Sequence, residues 1–257
     1  MRRLLLPLLP LLLLFGCAKA PITGRTQIIM LSPEQEMALG FQTEEEIFKN
    51  EKLSQDPRYT LPVERVGRRI AEASRIDLDW KFYVIDNDEI PNAFCLANGH
   101  VFVYTGLFKY ISNDAQLATV MAHEIAHAIA HHVAERLSVA QLTGLATAVA
   151  NQAITQNGGE YTELFQAALG IGSQVGVMLP YSRMQESEAD HIGLILMAMA
   201  CYDPREAIAF WEKFAKKGGE PIVYLSTHPT SRSRIEQLKR LMPEAMKEYR
   251  HCQRAAS

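Results

Sequence analysis

The sequence predicts an α+β fold, a mainly helical domain with a small antiparallel sheet edge beside a central helix. Helix caps recur ahead of runs with helical apolar spacing, and Asn98-Gly99 separates two β-rich runs. No internal repeat or low-complexity segment interrupts the 257 residues. With 48% hydrophobic and 21% charged residues, a chain of this length can bury a sizeable core.

The first 16 residues, Met1-Arg2-Arg3 followed by an apolar run from Leu4 to Phe15 and then Gly16, read as a signal peptide. A run of about 12 residues is too short to span a bilayer as a helix, and Pro7 and Pro10 would break one. Leu14-Phe15-Gly16-Cys17 looks like a lipobox, so Cys17 is the expected lipidation site and residues 17–24 a lipidated tether. Phe15 departs from the small or β-branched residue usual there, which leaves plain secretion as the alternative. Acyl chains on Cys17 would anchor the domain at a membrane, each buried CH₂ contributing about 0.8 kcal/mol.

The domain itself is expected over residues 25–250. Arg25 to Leu31 reads as a strand. Ser32-Pro33-Glu34-Gln35 supplies an N-cap, a proline at N1 and a glutamine at N3, predicting a helix. Val63, Val66, Ile70 and Ala71 predict a second, ending near Arg75, and Lys81 to Ile85 a strand. The runs 92–97 and 100–104 form the predicted hairpin. Asn113 to Gln116 can cap the next helix, expected to run to about Leu137. Residues 139–179 suggest a helical hairpin too rich in Gln and Asn to cross a membrane. Helices are expected from the capping box Ser182-Arg183-Met184-Gln185 to about Ala200, from Asp203-Pro204 to near Gly218-Gly219, and after Thr227-His228-Pro229.

The formal charge is −3, or −5 without the first 16 residues, which gives no electrostatic footprint for nucleic acid. Acylation of Cys17 leaves Cys95, Cys201 and Cys252, an odd set from which one disulfide could form, in a pairing the spacing does not name. No two lie at metal-ligand spacing.

The chemistry concentrates in His123-Glu124-Ile125-Ala126-His127. Helical positions i and i+4 share a face, so His123 and His127 can offer two imidazole nitrogens to one metal ion. Glu124 is turned about 100° round the helix, where it can take a proton from a water that the metal acidifies. A hydrolytic zinc site needs three protein ligands, and the second constellation, Glu186-Ser187-Glu188-Ala189-Asp190, can supply the third. Spacing alone leaves Glu186 and Glu188 both open as that ligand. His131 is expected to face solvent and His191 to lie off the metal face.

Four segments together resemble one family. They are Asn92-Ala93-Phe94 with Thr105-Gly106-Leu107; His123 to His127 with His132; Pro180-Tyr181-Ser182-Arg183 through Asp190; and Ser226 to Pro229 with Arg234-Ile235. They resemble the gluzincin metallopeptidases that include the CAAX prenyl protease, the HtpX-type heat-shock proteases, the mitochondrial inner-membrane stress protease and periplasmic proteases of outer-membrane quality control. The resemblance runs from about Thr23 to Leu241. It implies a zincin-type peptidase domain holding one Zn²⁺ per chain through His123, His127 and Glu186, with Glu124 as the catalytic base. It makes Asp190 the partner behind a ligand histidine, gives His132 an orienting role, and implies that the strand carrying Asn92, Ala93 and Phe94 binds substrate as an added strand. The chain is not expected to carry the transmembrane helices or the repeat domain of some members.

Three roles are open to His228. It could donate to the developing oxyanion as a catalytic group, occupy the fourth zinc position at rest, or merely begin the last helix. Arg234 is expected to anchor this segment against the helix of Glu186. The expected function is a zinc endopeptidase acting on unfolded or misassembled envelope proteins at the periplasmic face of a membrane, more readily the outer one given Ala18. The alternative is a lipoprotein chaperone or adaptor with a structural zinc site.

Overall fold

The computed structural model describes residues 17–151, 183–216, 228 and 232–256. The signal-peptide segment, Ser182, Thr227, Pro229, Gly218-Gly219 and most of the expected helical hairpin lie outside the described residues.

Two short strands open the domain, β1 (Cys17–Lys19) and β2 (Thr26–Ile28), paired antiparallel with Cys17 opposite Ile28. The expected tether is thus partly a strand, and the strand expected over Arg25 to Leu31 contracts to three residues in its first half. Helix α1 (Pro33–Asn50) begins at the capping box of Ser32 and Gln35. Helix α2 (Pro57–Ser74) ends on Arg75, whose φ of 56° is left-handed.

The sheet holds β3 (Lys81–Ile85), β4 (Ala93–Cys95) and β5 (His100–Tyr104) in the order β3-β5-β4. The hairpin is antiparallel as expected, with Phe94 opposite Phe102, and Gly99 takes the positive φ of 85° that its turn requires. β3 joins the far side of β5 in parallel, Lys81 opposite His100, so the sheet is mixed and β4 forms its edge among the described residues. A 3₁₀ turn (Thr105–Lys109) leads to α3 (Asp114–Ile129), capped by Asn113 onto the amide of Gln116.

The helix expected to run on to Leu137 breaks. Ala130 ends α3, His131 adopts a left-handed φ of 53°, and α4 (His132–Asn151) starts in a new direction. Neighbours stabilise the break: Gln27 donates to the carbonyl of Ala130 at 2.5 Å, and His131 pairs with Glu36 of α1 at 2.9 Å. The helices α5 (Arg183–Met199), α6 (Arg205–Lys216) and α7 (Arg232–Ala256) complete the described chain, and a disulfide joins Cys201 to Cys252.

Helix α3 is buried on every side, with Leu117, Ala118, Val120, Met121, Ala122, Ile125 and Ala126 at most 1% exposed. Such a helix belongs at the centre of a domain. It packs on β4, α2, α5 and α6. α5 approaches most closely at Gly193, where a Cβ would stand 3.0 Å from the His123 amide nitrogen. Glu186, Asp190 and Gly193 follow at i, i+4 and i+7, so the face that docks through Gly193 also presents both carboxylates to the histidines of α3.

Candidate active site

His123, Glu124, His127, Glu186, Asp190 and His228 are all buried, none more than 3% exposed. The structure brings His123, His127, Glu186 and His228 together, one potential ligand atom from each within 4.8 Å of all the others. Nε2 of His123 and of His127 are 3.1 Å apart, and Glu186 lies 3.5 Å from the first and 3.4 Å from the second. His228 Nδ1 is 3.1 Å from Glu186 Oε1 and 3.3 Å from His123 Nε2.

A metal fits this arrangement. Asp190 Oδ1 stands 3.2 Å from His123 Nδ1, within ion-pair distance but without hydrogen-bond alignment, so Nε2 is the nitrogen of this ring turned to the cluster. His127 likewise engages its Nδ1 elsewhere, 2.7 Å from His132 Nδ1. Two imidazole nitrogens then face each other 3.1 Å apart beside a carboxylate, a donor set suited to Zn²⁺. Burial opposes the charged form of His123, but Asp190 and Glu186 outweigh it and raise its pKa to about 9, so metal binding must displace a proton from this ring. Burial drives His127 well below the usual imidazole range. Burial works against the Glu186 carboxylate as well, yet His228, His123 and His127 hold it well below the usual carboxylate range.

Behind the ligand atoms, Arg234 donates to both oxygens of Asp190, at 2.7 and 2.8 Å, and contacts Glu186 Oε2 at 2.6 Å. The Arg234 guanidinium also lies over the Trp211 ring, 4.7 Å from its centre. Arg234 therefore fixes Glu186 and Asp190 together. Replacing Asp190 with Ala should weaken zinc affinity about 10–100-fold while leaving the ligand set intact, measured by competition with a chelator. An affinity equal to the parent's would deny Asp190 this role.

Glu188, which spacing left open as a ligand, points away from the cluster toward His132, Thr23 and Arg25. His131 has a side chain 47% exposed, and His191 pairs with Glu244 on α7 at 3.2 Å, so both lie apart from the centre. Glu124 Oε1 is 3.7 Å from His228 Nε2. Its charge is felt by Cys95 on β4, whose thiol is pushed up mainly by burial. Glu124 thus sits beside the histidine cluster, on a helix that packs against the edge strand. Asn92 and Ala93 are buried at the start of that strand, and the Asn92 carbonyl accepts from the Tyr104 amide at 3.0 Å. Phe94 is a core residue stacked on Phe102, their ring centres 5.1 Å apart, so only the backbone of this stretch is suited to contact a substrate.

Sequence reasoning gave His132 its orienting role but missed Trp211, Glu135 and Gln185 at the site, and Thr23 and Arg25 as partners of Glu188. Only folding brings these residues to the site, and no local spacing marks them.

Comparison with known proteins agrees with this geometry. Peptidase family M48 matches residues 57–242. The chain belongs to peptidase family M48. It is 35% identical to the mitochondrial metalloendopeptidase OMA1 of Schizosaccharomyces pombe over 88% of this chain and 66% of that one. Identity to human mitochondrial metalloendopeptidase OMA1 is also 35%, over 89% of this chain and 46% of that one. The beta-barrel assembly-enhancing protease of Escherichia coli is 32% identical over 84% and 45%. The chain therefore spans about half the length of the human and bacterial relatives. Membership of M48 makes it a metalloendopeptidase and implies zinc as its metal.

Proposed function

We propose that the chain is a zinc endopeptidase that hydrolyses misfolded or misassembled envelope proteins from a membrane surface, where acyl chains on Cys17 hold it. The position of Glu124 carries the hydrolytic reading. Glu124 is buried on α3, which packs against the edge strand β4, and lies 3.7 Å from His228 of the cluster that also holds His123, His127 and Glu186. Zinc held by His123, His127 and Glu186 would polarise a peptide carbonyl and acidify water. Glu124 takes the proton from the attacking water and returns it to the leaving amine. The β4 backbone receives the extended substrate as a further strand. The chaperone or adaptor reading has no use for Glu124, because a structural zinc site needs no base.

Three observations support the envelope setting. The first 16 residues have signal-peptide character and precede Cys17. The Cys201–Cys252 disulfide suits an oxidising compartment. One relative of Escherichia coli is named for enhancing beta-barrel assembly. No described helix is long and apolar enough to cross a membrane. Purified protein should degrade an unfolded casein-like substrate, lose this activity to a chelator and regain it with Zn²⁺. Mass spectrometry of the mature N-terminus should find acylated Cys17. Cleavage that persists after complete zinc removal would reject the enzymatic part, and an unmodified Cys17 would reject the anchor.

The distances of His228 favour the fourth metal position at rest, since its Nδ1 lies among the ligand atoms. His228→Ala should then raise basal cleavage. A fall in kcat at constant KM would instead make it a donor to the transition state, and a change in Tm alone would confine it to the helix start.

A further inference from the structure

A chain of polar contacts leads from His127 to the beginning of the domain. His127 Nδ1 meets His132 Nδ1 at 2.7 Å, and His132 Nε2 meets Glu188 Oε2 at 3.0 Å. Arg25 donates through Nε to the same Glu188 oxygen at 2.6 Å, and the Thr23 hydroxyl donates to the other. The two Nη atoms of Arg25 fork onto Glu135 at 2.6 and 2.7 Å, and Gln185 donates to Glu135 at 2.8 Å. His132 is fully buried, and the Glu188 side chain is 4% exposed.

These contacts have one consistent direction of donation. If His127 offers Nε2 to the metal, its Nδ1 carries the hydrogen and donates to His132 Nδ1. The other nitrogen of His132 then donates to the Glu188 carboxylate, which is oriented by two donors from the N-terminal segment. The left-handed turn at His131 makes this possible, because it swings the start of α4 back toward His127.

We propose that residues 23–25 act as a clasp on the metal centre: Thr23 and Arg25 fix Glu188, Glu188 fixes His132, and His132 holds the His127 ring with Nε2 aimed at the metal. His132, Glu188 and Arg25 are positioning residues, and docking of the segment that follows Cys17 sets zinc affinity. This inference rests on His127 being a metal ligand, as the proposed function has it. A cluster that merely cemented β2, α4 and α5 would contribute to stability and leave the metal untouched.

The test is zinc affinity of the full-length protein by chelator competition, together with the visible spectrum of its cobalt-substituted form. His132→Phe should weaken zinc about 10–100-fold and alter the cobalt spectrum. Arg25→Met, a milder change at a partly exposed side chain, should weaken it several-fold, with Arg25→Lys restoring part of the loss. In the His132→Phe background Arg25→Met should have no further effect on affinity, because its influence passes through His132. Should His132→Phe not fold, Arg25→Met and Thr23→Val still decide the matter. Affinities within about twofold of the parent in the folded variants, with only Tm lowered, would overturn the clasp. His127→Ala separates this failure from a deeper one. Loss of zinc in that variant while the clasp variants keep it rejects the clasp alone, whereas retention of full affinity rejects the ligand assignment beneath it.

Discussion

Glu124→Gln is expected to lower kcat on an unfolded protein substrate by about 10²–10⁴-fold, which is the usual contribution of a positioned general base. That corresponds to roughly 3–5 kcal/mol of transition-state stabilisation. The amide keeps the shape of the carboxylate but cannot accept the proton of the attacking water. Zinc content and Tm should stay close to those of the parent, because Glu124 is absent from the group of four that converges on one point. Cleavage by this variant at the parent's rate would contradict the mechanism and return the adaptor reading to consideration.

Glu186→Gln is expected to have the largest effect on the metal. The change removes a charged ligand from a buried centre and leaves two imidazole nitrogens 3.1 Å apart without the carboxylate that lies 3.4–3.5 Å from both. It also deprives Arg234 of one of its two carboxylates. The loss of affinity should exceed the roughly 10–100-fold expected of a change behind the ligands, and it should be far larger than that of Glu188→Gln. Dialysis against a chelator followed by metal analysis measures both. Equal retention by the two variants would defeat the choice of Glu186 over Glu188.

That choice shows where reading the sequence stops. Local chemistry marks local features well. Ser32 and Gln35 announce the start of α1, Asn98-Gly99 announces the β4–β5 turn, and the i, i+4 histidines announce a shared ligand face. Glu186 and Glu188 are different, because both lie on one helix and only its docking decides which faces α3. The deciding residue is Gly193, which permits the close approach and shares a face with Glu186 and Asp190. That i, i+4, i+7 pattern was available as a signal in the sequence.

Other features had no such signal. A histidine in the left-handed region, as at His131, is stabilised by Glu36 and Gln27 from distant parts of the chain, so the helix period runs through the break unmarked. The parallel pairing of β3 with β5 depends on which side of the hairpin is free, a choice made in three dimensions. The pairing of Cys201 with Cys252 is likewise one of several that cysteine count alone allows. Arg25 meets Glu188 across almost the whole domain, and a partnership over that distance leaves no spacing to read.

The central claim is that a single zinc ion is held by His123, His127 and Glu186, and anomalous X-ray scattering from crystals at the zinc absorption edge tests it most directly. The account predicts one strong peak per chain, about 2.0–2.2 Å from Nε2 of His123, Nε2 of His127 and a carboxylate oxygen of Glu186. A zinc-loaded crystal with no peak between α3 and α5, or with its peak bound by Glu188 in place of Glu186, would contradict it.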